Sequence, residues 1–211
     1  MDLKTALLTE LISFIGRKLL KTKPAVNAMQ ERLLHLGCGV TKFDNWINAD
    51  FFRNFKPWKK KLPQPEWMID LRYPLYCDDN IWDGVFTEHT LEHLHYKEVS
   101  LLLKELFRTM KEGAWIRITV PDLEKYIEYY IHRTGHDNFN QWSTGCEALS
   151  ALTQNYGHVS TWDSELMQRF LRESNFSNIQ MQIFMKGNDK RLLKDRADRK
   201  WETLYVEAQK K

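Results

Sequence analysis

Cysteine is scarce: Cys38, Cys77 and Cys146 are the only three in 211 residues, an odd number with no C-x-x-C pair. That argues against a disulfide framework and a zinc knuckle and suits a reducing cytoplasm. No apolar run reaches the length of a membrane span, and the amino-terminal segment lacks a signal peptide's pattern. Neither sign of charge dominates. With 31 Lys and Arg against 28 Asp and Glu, the net charge of +3 is too mild to argue for nucleic acid. What is present is apolar matter: 43% hydrophobic residues and 13% aromatic are ample for one domain with a proper core.

The first stretch has a helical rhythm. Leu8, Leu11, Ile12, Ile15 and Leu19 recur at helical spacing over residues 2–21, and Arg17, Lys18, Lys21 and Lys23 gather near the end, where cations suit the helix dipole. Such a helix either lies over the domain or pairs with a second subunit, or it touches anionic lipid as a surface helix. Residues 1–30 are therefore read as an amphipathic helix with a linker, and residues 31–211 as the domain.

Leu33-Leu34-His35-Leu36-Gly37-Cys38-Gly39 organises that domain. The apolar run predicts a buried parallel strand, and the glycines allow a sharp turn and leave bare backbone for a ligand. A dinucleotide is disfavoured: Lys42 stands where the third glycine belongs, and Asp50, after Trp46-Ile47-Asn48-Ala49, comes too early for the ribose acid. Leu-x-Leu-Gly-Cys-Gly, an acid ending the next strand, then Ile69-Asp70-Leu71, resembles the class I S-adenosylmethionine-dependent methyltransferases. The resemblance is strongest at residues 33–50, 69–95 and 111–128 and extends to Tyr156-Gly157-His158, closest to a bacterial type-11-like branch.

That resemblance implies a Rossmann-like seven-stranded sandwich, mostly parallel with an antiparallel strand near the carboxyl terminus, and S-adenosylmethionine as cofactor. It implies cofactor contacts at His35, Gly37, Cys38, Gly39, Asp50, Asp70, Leu71 and Glu88. The glycine loop would receive the methionine part, Asp50 the ribose, and Asp70 with Leu71 the adenine. The six residues between Gly39 and Trp46 are too few for a crossover helix, so a turn is expected there. Further strands are expected at 67–69, 82–87 and 115–120, and a final antiparallel pair at 179–184 and 203–206. A long helix is predicted over 91–110 with Leu94, Leu101, Leu102, Leu106 and Met110 on one face, and residues 137–157 are read as a cover over the site. Residues 51–65, aromatic and basic, read as a solvated loop rather than a nucleic-acid platform.

His89-Thr90-Leu91-Glu92-His93 matches the inverted zinc-protease pattern as text, but it follows a strand rather than lying within a protease helix. Two readings stay open. In one, His89, Glu92 and His93 converge with His158 on a divalent cation, although a metal is not expected as a cofactor. In the other, Glu92 and His93 only anchor the elbow, while His89 or His158 acts as a base near neutrality and Asp122 binds the acceptor. The function expected is methyl transfer to a small polar acceptor, such as a hydroxyl of a saccharide-like molecule. The alternative is a module that binds the cofactor without turnover and serves a complex.

Overall fold

The structure is a computed structural model that describes residues 3–26, 30–51 and 64–211. Residues 52–63 of the expected basic loop, and residues 27–29 of the expected linker, lie outside it. Seven strands form one sheet: β1 (Leu33–Leu36), β2 (Ile47–Asp50), β3 (Trp67–Met68), β4 (Trp82–Glu88), β5 (Met110–Pro121), β6 (Ser177–Gln182) and β7 (Thr203–Gln209). Their spatial order is β3-β2-β1-β4-β5-β7-β6, and only β7 runs antiparallel to its neighbours. All four residues of β1 are buried, as a strand flanked by parallel partners and covered on both faces must be. The expected strand set, the turn in place of a first crossover helix and the closing antiparallel pair are all present.

The helices are α1 (Leu3–Phe14), α2 (Tyr96–Thr109), α3 (Leu123–His132), α4 (Gly145–Gln154) and α5 (Ser164–Glu173). In α2, Val99, Leu102, Leu103 and Leu106 are buried at i, i+3, i+4 and i+7 and pack into one core with Trp82, Val85 and Met110. Each such leucine contributes about 1.5–3 kcal/mol by leaving water. Leu101, expected on that face, is exposed.

The long helix predicted over 91–110 is corrected at both ends. Residues 91–93 form a single 3-10 turn, Leu94 is extended, and α2 starts afresh where the His95 N–H donates to the Glu98 carboxylate at 2.8 Å. Strand β5 then starts directly at Met110, with Gly113 at φ +81° inside it. A helical period does not register a break when apolar residues continue through it.

The first helix is also turned against expectation. Ser13 and Gly16 face the domain and are buried, whereas Leu8, Leu11 and Leu19 face out. A π-helical stretch, Ile15–Leu20, continues α1. Its end is pinned to the sheet, because Thr22 Oγ1 donates to the Met68 carbonyl at 2.6 Å and Trp67 Nε1 donates to the Thr22 carbonyl at 3.0 Å. Among the described residues no helix is long and apolar enough to cross a membrane.

Candidate active site

The carboxyl ends of β1, β2 and β4 converge, and the glycine turn lies among them. Gly37 sits at φ +66°, and a Cβ there would meet Thr90 Oγ1 at 2.0 Å, so both conformation and space demand glycine. At Gly39 the φ of +58° alone makes the demand. Asp50 closes the turn: its carboxylate accepts from the Gly39 N–H at 2.7 Å and from the Phe51 N–H at 2.6 Å.

Two cavities open from this turn. One, of about 440 Å³, is lined by Gly37, Gly39, Asp50, Asp70, Leu71 and Thr90, with Thr9 of α1 at its edge. The other, of about 360 Å³, is lined from α3, α4 and the charged segment leading into β7, and His35, Cys38 and Glu88 are in its wall. Gly37, Gly39, His89 and His93 belong to both. Every expected cofactor residue thus borders one cavity or the other. His35 does so as a spacer. It stacks on Phe43 at 4.3 Å, hydrogen-bonds Asn48 at 3.1 Å, and is held neutral by burial, which lowers its pKa to about 4.

Asp70 departs from its expected part. Its two oxygens accept from the Ser13 hydroxyl and from the main-chain N–H, Nε and Nη2 of Arg72. Four donors match the lone pairs a carboxylate offers. Burial alone would raise its pKa, but these donors outweigh burial and hold it below the ordinary Asp value. Asp70 ties α1 to the sheet edge, so the direct adenine contact expected of its oxygens is not supported.

The elbow after β4 carries the unusual chemistry. His89 adopts φ +47°, a left-handed conformation that costs a non-glycine residue about 1–2 kcal/mol. The 3-10 turn that follows buries Glu92 completely. Among the described residues, neither oxygen of Glu92 has a hydrogen-bond partner in another residue. Around it stand His89 Nδ1 at 3.5 Å and His158 Nε2 at 4.0 Å, and Glu92, His93 and His158 offer ligand atoms within 4.8 Å of one another.

The outer nitrogens of His158 and His89 are already committed. His158 Nδ1 lies 2.7 Å from the Leu152 carbonyl, which can only accept, so Nδ1 carries a proton and, in the neutral ring, Nε2 offers a lone pair on the side of Glu92. Thr203 Oγ1 donates its proton to the Arg199 carbonyl, so His89 Nε2 donates to Thr203 at 2.9 Å and His89 Nδ1 is likewise a lone pair. Burial pushes Glu92 up to about 8 and His89 down to about 3, so neither is charged in the bare pocket near neutrality. The expectation that His89 titrates near neutrality as a base is corrected accordingly.

Asp122 is also corrected. Its carboxylate caps α3, accepting from the Glu124 N–H at 3.0 Å, and it lines neither cavity. Other residues of the second cavity carried no recognisable motif: Tyr126, Trp142, Tyr156 and Trp201 supply ring faces, and Arg196, Arg199 and Glu202 supply charge. The arginines come from the charged segment before β7, where the sequence shows only a run of mixed charge.

No family model matches the chain, and no curated protein matches it. Solved structures do. A SAM-dependent methyltransferase from Archaeoglobus fulgidus is 17% identical over 99% of this chain and 100% of its own, with a TM-score of 0.51. One from Methanosarcina mazei is 17% identical over 86% and 93%, with a TM-score of 0.52. One from Mesorhizobium loti is 15% identical over 84% and 90%, also at 0.52. With the strand order and the glycine turn, these neighbours establish that the chain has the class I S-adenosylmethionine-dependent methyltransferase fold.

Proposed function

We propose that this chain is an S-adenosylmethionine-dependent methyltransferase acting on a hydroxyl of a small, polar, saccharide-like acceptor. The observation that carries the reading is the shared boundary of the two cavities at Gly37, Gly39, His89 and His93, which leaves a donor and an acceptor to meet at the glycine turn. The cofactor supplies an electrophilic methyl group on a sulfonium. The chain's part is to hold the acceptor oxygen in line with that carbon and to exclude water. Asp50 would hold the ribose hydroxyls, Leu71 would border the adenine, and the bare backbone of the glycine turn would make room for the methionine end. Ring faces of Tyr126, Trp142 and Trp201 beside Arg199 and Glu202 suit a flat, hydroxyl-rich acceptor.

The elbow fits a divalent cation. A fully buried carboxylate with no partner in another described residue is costly unless something meets it, and His89 and His158 face it while His93 offers a ring nitrogen nearby. His158 and His89 donate their outer N–H to a carbonyl and a hydroxyl, an arrangement that orients metal-ligating histidines. Glu92, His93 and His158 would hold the ion with His89 beside them, and this nitrogen-rich set favours zinc, manganese or iron over magnesium. Bound there, a cation would orient the acceptor hydroxyl and lower its pKa.

Isothermal titration with S-adenosylmethionine and S-adenosylhomocysteine, before and after chelation, tests the reading. Micromolar binding of both is expected, with loss in Gly37→Val, whose side chain cannot coexist with Thr90. No binding by the folded wild-type chain would overturn it. Binding without turnover on any hydroxylated acceptor would instead favour the non-catalytic module.

A further inference from the structure

The first helix is amphipathic the wrong way round for a helix that only packs on its own domain. Its fully buried positions are small or polar, with Ile12 and Ile15 half-buried beside them: Ser13 donates to Asp70, Gly16 is buried, and Arg17 donates to Ser13 while stacking its guanidinium 3.3 Å from the centre of the Tyr73 ring. Its outward side is apolar, with Leu7, Leu11, Phe14 and Leu19 each more than half exposed. Polar pins to the body leave the leucines to water. A contiguous exposed apolar row on an otherwise well-packed chain marks a binding surface.

The charge beside that row says what covers it. Below the π-helical stretch lies a cavity of about 340 Å³ lined by Arg17, Lys18, Lys21, Tyr73 and Tyr76, with Asp70 as its one acid, already neutralised by Arg72. Lys18 and Lys21 are exposed, and Tyr76 is about half exposed with Lys23 over its ring. Leucines and a phenylalanine on one side, with lysines and a tyrosine at their margin, match the two layers of a bilayer surface: acyl chains beneath, anionic headgroups above. A second copy of the chain fits less well. Two-fold pairing through α1 would set these cations against a surface whose described acids, Glu10 and Asp78, are already paired with Arg72 and Lys23.

We propose that α1 and the π-helical turn dock this chain on an anionic lipid surface, with Leu7, Leu11, Phe14 and Leu19 inserted and Lys18 and Lys21 at the phosphates. The inference stands apart from the methyl-transfer reading. It is tested by co-sedimentation of the full chain with vesicles of phosphatidylcholine alone and of equimolar phosphatidylcholine and phosphatidylglycerol. Binding is expected on the anionic vesicles, falling as salt is raised. Leu11→Glu with Phe14→Glu should weaken it by at least about a hundredfold. Lys18→Glu with Lys21→Glu should weaken it by about tenfold or more. Because these positions face solvent, unchanged circular dichroism would show that the variants fold. Equal binding to both vesicles overturns the anionic assignment. No binding by the folded chain, or a dimer in ultracentrifugation that Leu11→Glu dissociates, overturns the lipid itself.

Discussion

Arg117 and Glu92 are both shut away from water, and the fold treats them in opposite ways. Arg117, in the middle of β5, has all five N–H groups answered: Asp195 takes two, Glu207 one, and the carbonyls of Lys186 and Ile183 the others. The acids are answered in turn, Glu207 by the N–H and side-chain amide of Asn188, Asp195 by the Met185 N–H. Glu92, at the elbow after the neighbouring strand β4, has no hydrogen-bond partner for either oxygen in any other described residue. Closing every valence turns a buried charge into architecture. One left open, among imidazoles whose outer sides are already held, is prepared for a ligand.

The largest effect that would break this contrast is on stability. Arg117→Met strands Asp195 and Glu207 without a cation in a dry site, a loss of about 3–5 kcal/mol and a fall in Tm of roughly 6–20 °C. Glu92→Gln, by contrast, removes no existing hydrogen bond, and a change within about 1 kcal/mol is expected in metal-free buffer. Thermal melts of the two variants side by side make the comparison. If Glu92→Gln cost as much as Arg117→Met, the elbow would be a structural knot and not a site.

The two regions also differ in how far the sequence revealed them. The elbow was visible because its parts are local: His89, Glu92 and His93 lie within five residues, and the glycine turn and Asp50 sit eleven apart. Only His158 is distant, and it was picked out by Tyr156-Gly157-His158. Nothing pointed to the Arg117 knot, because Asp195 lies 78 residues on and Glu207 lies 90 on, and an arginine within a strand pattern reads as a solvent-facing position. Sheet order was legible from the family pattern and the short β1–β2 connection. The direction of α1 was not, since periodicity marks which residues share a face but not which face is covered. Asp122 was misread for a related reason: an acid at a strand's end before a helix serves equally as a cap or a ligand, and here the Glu124 amide takes it.

A middle-sized effect sharpens the contrast from the ligand side. Zinc or manganese at about 100 times its Kd should stabilise the wild-type chain by about 2.7 kcal/mol, and a chelator should reverse this. Glu92→Gln should lose that response. Variants that perturb the Arg117 knot without unfolding the chain, such as Asn188→Ala, should keep it. A metal response that survived Glu92→Gln would move the cation elsewhere.

The smallest effect concerns Asp70, a third buried ionisable group, which resembles Arg117 in being satisfied and Glu92 in bordering a cavity. Since Ser13 and Arg72 hold its folded pKa below the ordinary value, its contribution is fully present above the unfolded Asp pKa and is lost as the pH falls through the folded one. Ser13→Ala removes one hydrogen bond to that carboxylate and should cost about 1 kcal/mol at neutral pH. The difference from wild type should then narrow toward zero in strong acid, where Asp70 is protonated in both proteins. Urea unfolding of the pair across that range reads it directly. A gap independent of pH would mean that Ser13 matters for packing α1 and not for holding the Asp70 charge, and Asp70 would again be available to a ligand as Glu92 is.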